Sequence, residues 1–378
     1  MKFPFIARET VKKMNFSSNF GYMSSYDISC FYYEDKEISS TAKIGLLVFY
    51  PFIMFIGLVG NFLIILIVFT HKELRKTTNW FIVNMAVSDF MFSSISTPVG
   101  LAEMAESSWP DNDTTGLVLC KLQGFCTSVS LSVSVQSIFW IAIDRFVAVV
   151  YPMKAHFISS RSRSISIAST WLVAMGVNSV ELYSYQVLEV QSKFICTSGL
   201  DDSFETDRIY MIYSLLYTFV FQITPFIALT VIYSVIALTL RKQDKRLHSE
   251  GKKGTRPNVR LRREQAIKMS FFTMAAFYTC SLPLLVSAII WEFQISVSCS
   301  FETTFWQISM VMVCLSSVAN PLICLTFVGR YREGLKNILR VPWRRQLRAN
   351  NMESSVGGGI TLHQIRNTFG EKDNLAFR

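Results

Sequence analysis

The sequence predicts an all-α fold, a seven-transmembrane helix bundle with a short amphipathic eighth helix on the cytoplasmic face. Three observations carry that expectation. Of 378 residues, 51% are hydrophobic and only 17% are charged, against about 25% charged in ordinary soluble domains. Seven apolar stretches, each long enough to cross a bilayer, lie near residues 44–70, 79–102, 117–150, 164–186, 208–240, 266–291 and 304–328. The charges gather in the connections, a pattern that one large soluble core would not require. The chain accordingly divides into an extracellular N-terminal segment (1–43), the bundle (44–328), the amphipathic helix (329–340) and a disordered cytoplasmic tail (341–378).

Orientation follows from the bases. Charges interrupt the first 40 residues before any apolar run forms, so no signal-peptide pattern is expected and the first span serves as its own insertion signal. Lys72, Arg75 and Lys76 follow span 1; Lys154, Arg161 and Arg163 follow span 3; Arg241 to Arg263 after span 5 is the richest stretch. Trp291 to Trp306, in contrast, holds Glu292 and Glu302 and no base. Basic connections stay cytoplasmic, which puts the N-terminus outside and the C-terminus inside. The net charge of +10 is therefore a matter of topology and anionic lipid rather than nucleic acid. The acceptor sequences at Asn15 and Asn112 fall on the same outer side, as glycosylation requires. So do four of the eight cysteines, Cys30, Cys120, Cys196 and Cys299, for which spacing alone permits three pairings.

Taken in order, span 1 carries the amide of Asn61 beside Gly60, and span 2 carries Asn84, Asp89 and Pro98. A carboxylate at that depth costs about 2.5–3.5 kcal/mol on insertion scales, so Asp89 is expected to face inward with partners. Span 3 runs from Cys120 to Asp144-Arg145-Phe146, roughly 38 Å as a helix, which puts the cysteine and the arginine at opposite membrane faces. Its Thr127, Ser128, Ser130, Ser132, Ser134 and Gln136 make it too polar for lipid and suit it to be the central post. Span 4 carries Trp171 and, near its outer end, Glu181; span 5 carries Pro225 and Tyr233. Span 6 holds Phe277 and Pro283, and span 7 holds Asn320-Pro321. Prolines inside spans 2, 5, 6 and 7 free carbonyls and bend those helices. Beyond span 7, Phe327, Tyr331, Leu335, Ile338 and Leu339 recur at three or four residues among Arg330, Arg332, Lys336 and Arg340, the pattern of an interfacial helix. No cysteine follows Cys324 to carry a palmitoyl anchor, and the polar tail beyond 341 has the composition of disorder.

One mark per span, in order, resembles the rhodopsin-like G-protein-coupled receptors, and neuropeptide receptors among them: Gly60-Asn61, Asn84 with Asp89, Cys120, Asp144-Arg145, Trp171, Pro225 with Tyr233, Phe277 with Pro283, and Asn320-Pro321. The resemblance covers roughly residues 44–340. It implies a plasma-membrane signalling receptor, not an enzyme, that binds an extracellular ligand and activates a heterotrimeric G protein. It implies a Cys120–Cys196 disulfide and leaves Cys30 and Cys299 to pair. Asp144, Arg145, Phe146, Tyr233, Phe277, Pro283, Asn320 and Pro321 would carry activation and coupling. Asp89, Ser134 and Asn320, with Asn61 nearby, would hold an allosteric sodium ion, the one cofactor the resemblance brings, or else a water network. Receptor kinases and arrestin would act on tail hydroxyls such as Ser354, Ser355, Thr361 and Thr368.

Departures from the family concern mechanism. Ser281 stands where a tryptophan is usual, Cys324 where a tyrosine is, Ser316 where an asparagine is, and Arg263 near the place of an acid. Those changes keep open a constitutively active receptor or a non-signalling decoy. A photoreceptor is disfavoured because the retinal lysine would fall at Cys314, and a transporter because no repeated halves are visible. The four histidines, His71, His156, His248 and His363, lack metal-ligand spacing.

For the ligand, the positions matching the family cavity are Gln123, Thr127, Tyr217, Trp306 and Met310. Thr127 replaces the aspartate of amine receptors. Acids crowd higher up, with Glu103 and Glu106 ending span 2, Glu181 ending span 4, and Asp201, Asp202, Glu205 and Asp207 in the outer loop. An acidic mouth steers cations inward. The expectation is a short basic peptide, in its sharpest form one with an Arg-aromatic amidated end, held through Glu181 or Glu103, with a non-peptide ligand as the alternative.

Overall fold

The computed structural model describes residues 40–106, 109, 114–151, 159–190, 193–198, 212–249, 257–293, 295 and 297–339. Cys30, Asn15, Asn112, the acids at 201–207 and the tail lie outside them, as do the side chains of Glu103, Glu106, Arg263 and Cys299. Seven long helices form the unit that ends at Val328. These are α1 (Ser40–Thr70), α2 (Thr77–Glu106), α3 (Thr114–Val150), α4 (Ser160–Asn178), α5 (residues 212–249), α6 (Pro257–Glu292) and α7 (Cys299–Phe327).

Six of these helices are long and apolar enough to cross a membrane. The exception, α2, is diluted by Asn84, Ser88, Asp89, Ser93, Ser96 and Thr97, every one of them buried. Its polarity faces the bundle, not the surroundings, so α2 spans by being wrapped in protein. Outer faces are the reverse: Val48, Phe52 and Phe55 of α1, Leu172 of α4, and Phe219, Ile227 and Leu238 of α5 are all exposed. An exposed apolar belt of this extent suits hydrocarbon rather than water.

The central helix is α3, which touches α2, α4, α5 and α6. Its Ser130, Ser132, Ser134 and Ser137 are all buried. One apolar cluster joins Met85, Val135, Ile138, Ala142, Leu229, Tyr233, Ile236 and Phe277, locking α2, α3, α5 and α6 together. A second, built on Tyr50, Ile53, Phe92, Val313 and Val318, closes α1 and α2 onto α7. Glycine makes the α1–α7 approach possible. A Cβ on Gly60 would stand 2.8 Å from Cγ of Pro321, so no larger residue fits without moving α7.

Two local features differ from expectation. The fourth span does not continue to 186: α4 ends at Asn178, a helical turn covers Glu181–Ser184, and Tyr185 opens a strand. Strands β1 (Tyr185–Val190) and β2 (Lys193–Ser198) form an antiparallel hairpin in which Val187 faces Cys196. Tyr185, Val187 and Glu189 alternate with Gln186, Leu188 and Val190, and the buried Val187 fixes which face packs inward. The second feature is a π-helical turn in α5, Phe219–Ile223. It lies directly ahead of Pro225, whose ring offers no N–H to the carbonyl one turn back. Proline also occurs inside α1, at Pro51, a position the sequence reading passed over.

Residues 329–339 form a separate helical unit in which Arg332, Lys336 and Leu339 are exposed and Tyr331 is buried.

Candidate functional site

The deepest polar group is Asp89. Its carboxylate accepts a hydrogen bond from Ser134 Oγ at 2.9 Å and another from Asn320 Nδ2 at 2.6 Å. Ser134 in turn shares a hydrogen bond with Ser88 at 2.9 Å. Helices α2, α3 and α7 thus meet at one buried acid, the grouping of Asp89, Ser134 and Asn320 that the family resemblance implies. Asn61 does something else: its amide donates to the carbonyls of Gly57 and Ser317, both at 2.9 Å, and stitches α1 to the α7 backbone. Beside Asp89 lies a cavity of about 10 Å³, lined by Ser130, Leu131, Ser134, Phe277, Ser316 and Ser317 among others. A space of that order admits one water-sized occupant. The Ser130 hydroxyl, buried and without a hydrogen-bond partner, lines it. Ser316, by contrast, turns its hydroxyl to the Val313 carbonyl at 2.7 Å.

At one end of α3, Arg145 folds back onto Asp144, Nη2 to Oδ2 at 2.8 Å, with each side chain 18% exposed. Thr78 of α2 joins them, donating to Asp144 and accepting from Arg145. Phe146 packs edge-on against Tyr151. Tyr233 and Phe277 are buried in the adjoining apolar cluster, and Tyr233 meets Phe271 edge to face.

At the other end, Cys120 and Cys196 form a disulfide with their Cα atoms 5.6 Å apart. The bond holds the hairpin against α3 within a cluster of Trp109, Val187, Tyr185 and Phe194. Trp109 ties the corner, its backbone N–H bonded to Phe194 O at 2.6 Å and its indole to Gly116 O at 3.0 Å. Glu181 opens the short turn after α4 and accepts from Ser184 at 3.2 Å. Lys121 of α3 donates to the Leu182 carbonyl at 2.7 Å, fixing the same turn. Tyr217 shares a hydrogen bond with Ser132 at 3.2 Å, and Thr127 is tied to Ser96 at 2.6 Å and to the Gln123 carbonyl at 2.7 Å. Met310 is half-buried and Trp306 is 42% exposed, and no described contact joins either to Gln123, Thr127 or Tyr217.

Three polar residues escaped the sequence reading. Thr78 lies one residue before the expected second span and was not considered. Asn178, fully buried, donates to Ser132 at 3.0 Å and so links α4 to the Ser132–Tyr217 pair. Thr170 Oγ1 accepts from Asn84 Nδ2 at 3.1 Å, while the Trp171 indole donates to Asn84 Oδ1 at 2.8 Å. Asn178 stands seven residues past Trp171, two helical turns along one face. That spacing, in an apolar helix, was the available signal.

Residues 60–323 match the family model described as 7 transmembrane receptor (rhodopsin family). The chain is 25% identical over 317 residues to the substance-P receptor of Aquarana catesbeiana, covering 84% of this chain and 74% of that one. It is 30% identical over 253 residues to the QRFP-like peptide receptor of Branchiostoma floridae (65% and 64% covered). The human substance-K receptor is 26% identical over 310 residues (80% and 75% covered). The chain belongs to the rhodopsin family of seven-transmembrane receptors. It is a multi-pass G-protein-coupled receptor and not an enzyme.

Proposed function

We propose that this receptor binds a short basic peptide at the disulfide end of the bundle and activates a G protein at the Arg145 end. The carrying observation is that relatives matching most of its length are, by name, receptors for substance P and substance K, with a QRFP-like peptide receptor beside them. The sequence supplies the matching chemistry. Glu181 opens the turn that leads into the hairpin, a turn held by Lys121, and offers a carboxylate to a basic group. In this reading the N-terminus is extracellular with glycans at Asn15 and Asn112, and the C-terminus is cytoplasmic. Anionic lipid meets the basic helix at 329–339, and kinases and arrestin act on the tail.

The Asp89 cavity takes a sodium ion in the resting receptor. The residues present fit a small hard cation: a carboxylate, the Ser134 hydroxyl and the otherwise unpartnered Ser130 hydroxyl converge on one small space. The ion would supply charge compensation for Asp89, while Asn320 holds the acid against α7. A decoy that binds peptide without coupling is the second reading, motivated by Ser281 and Cys324.

The test is a neuropeptide panel applied to cells expressing the full chain, with recruitment of each G-protein class as the readout. Basic peptides are expected to score. Hits confined to lipids, nucleotides or acidic peptides would overturn the peptide assignment, and binding without recruitment would favour the decoy.

A further inference from the structure

Asn178, the last residue of α4, is fully buried, and its amide nitrogen has two protons to give. One goes to the Ala174 carbonyl at 2.7 Å, the other to Ser132 Oγ at 3.0 Å. The first bond fixes which way round the amide sits, since a flipped group would set its oxygen against the Ala174 carbonyl. Ser132, itself fully buried, therefore accepts from α4. Its oxygen keeps one proton and one lone pair. The side-chain contact left to it is with Tyr217 of α5, hydroxyl to hydroxyl at 3.2 Å. Ser137 on the same helix bonds back to the Val133 carbonyl at 2.7 Å, but Ser132 has no such backbone bond among the described contacts.

Counting protons decides the direction of the bond between Ser132 and Tyr217. The two hydroxyls hold two protons and share one bond, so one proton is left over. Left on Ser132, it is buried without an acceptor, which is costly. Left on Tyr217, it belongs to a half-buried side chain and has somewhere to go. Glu181, three residues beyond Asn178, reinforces the choice. Its negative charge bears on the Tyr217 phenol and favours a proton turned toward it over a lone pair. Phe221 stacks on the Tyr217 ring, with centroids 5.2 Å apart, and keeps the phenol in place.

We infer that Asn178 is a positioning residue for ligand selection: by occupying Ser132 it makes Tyr217 a hydrogen-bond donor, which takes a backbone carbonyl of the ligand. Glu181 then meets the base of the same peptide, so the inference rests on the peptide reading and deepens it. Without the Asn178 amide, Ser132 can turn its proton to its own helix backbone and accept from Tyr217, which withdraws the phenol proton from the ligand. The variants are Asn178→Leu, Tyr217→Phe and Ser132→Ala in the full chain. One measurement is thermal melting of the detergent-purified, ligand-free receptor. The other is the potency of the strongest basic peptide from the neuropeptide panel, beside analogues in which each backbone amide in turn is replaced by an alkene, which has no carbonyl.

One alkene analogue is expected to lose about fivefold in potency on the unmutated receptor, the scale of one neutral hydrogen bond. It should lose nothing on Tyr217→Phe or on Asn178→Leu. Ser132→Ala should keep the penalty, with or without Asn178→Leu, because Tyr217 then has no serine to turn to. A purely structural role for Asn178 would weaken every analogue alike and leave the penalty in place. That result overturns the inference, as does a set of penalties none of which disappears on Tyr217→Phe. In melting, the losses from Asn178→Leu and Tyr217→Phe should fall short of additive, and the shortfall should vanish in the Ser132→Ala background. Additive losses overturn the inference as well. Asn178→Ala, read in the same way, replaces the leucine variant if that one does not reach the surface. A panel without a peptide hit overturns the peptide reading instead, and the melting cycle then decides alone whether Asn178 acts on Tyr217.

Discussion

Asn320 on α7 donates its side-chain amide to Asp89 on α2 across 2.6 Å, joining residues 231 positions apart. Ser134 holds the other carboxylate oxygen at 2.9 Å, so α2, α3 and α7 cannot separate without exposing a buried acid. Leaving such a group unpaired costs several kcal/mol, about 3–5 when one partner of a buried charge is removed. Its partners also explain why the acid is tolerated in the membrane-spanning region at all.

Sodium should act at that joint. Agonist affinity measured in sodium chloride is expected to fall below that in N-methylglucamine chloride, and Asp89→Asn should remove the difference by replacing the anion with a neutral amide. Because Ser316 replaces an asparagine near the site and spends its hydroxyl proton on the Val313 carbonyl, the effect should be modest. Equal affinity in the two salts for the unmutated receptor would show that no functional ion site exists.

The hairpin is seated by a contact at Gly124. A Cβ there would collide with the Tyr185 ring at the base of β1. Gly124→Ala is expected to cost about 1–3 kcal/mol through overpacking, seen as lower surface expression and weaker peptide potency. Tyr185→Ala in the same chain should restore most of the loss, since it removes the colliding ring. Two independent, additive defects would show that the two residues do not share a site.

The disulfide closes a loop of 76 residues between α3 and the hairpin. Chain-entropy estimates for loops of this length come to about 4 kcal/mol. Cys120→Ser and Cys196→Ser should each abolish surface expression, and the double variant should be no worse than either one. Normal surface delivery of Cys120→Ser would remove the hairpin from any role in folding.

Much of this was legible in the chain because polar residues inside apolar helices have few places to go. Asp89 is costly in hydrocarbon and so had to face inward with partners; that the partners are Ser134 and Asn320 came from the family resemblance. The hairpin was harder to see. Leu182, Tyr183 and Tyr185 carry apolar side chains past α4, and only pairing with the segment around Cys196, a tertiary event, makes Tyr185 and Gln186 strand. The family resemblance puts Asn61 near the acid. Its partners are backbone carbonyls, Gly57 O and Ser317 O, which no side-chain pattern reveals. Thr78 was invisible for a related reason: a hydroxyl at a helix start has a local use as a cap, and only the packing of α2 on α3 gives it another.

Arg145→Ala should abolish G-protein coupling while leaving ligand binding and expression near normal. The side chain is partly exposed and its removal strands no other buried charge, since Asp144 keeps the Thr78 hydroxyl. The measurement is agonist-stimulated nucleotide exchange beside saturation binding. Full signalling by the alanine variant would remove Arg145 from the mechanism.

The last expectation concerns the ligand. Glu181 is presented by a single turn, Glu181–Ser184, whose carbonyl end is gripped by Lys121 and whose own Ser184 bonds the carboxylate at 3.2 Å. Tyr213 also hydrogen-bonds the carboxylate, and of about four lone-pair sites the acid keeps some for a ligand. A basic side chain arriving at the mouth would meet an anion already oriented, with little ordering left to do. Glu181→Gln keeps the size and one acceptor but removes the charge, and should lower basic-peptide potency roughly ten- to hundredfold, the worth of a hydrogen bond to a charged group. Replacing the peptide's basic residue with norleucine should produce the same loss in the unmutated receptor and little more in Glu181→Gln. The comparison with Glu103→Gln then decides which acid holds the ligand. Unchanged potency in both variants would mean that the peptide's charge is met elsewhere, and the assignment of Glu181 and Glu103 to the site would have to be given up.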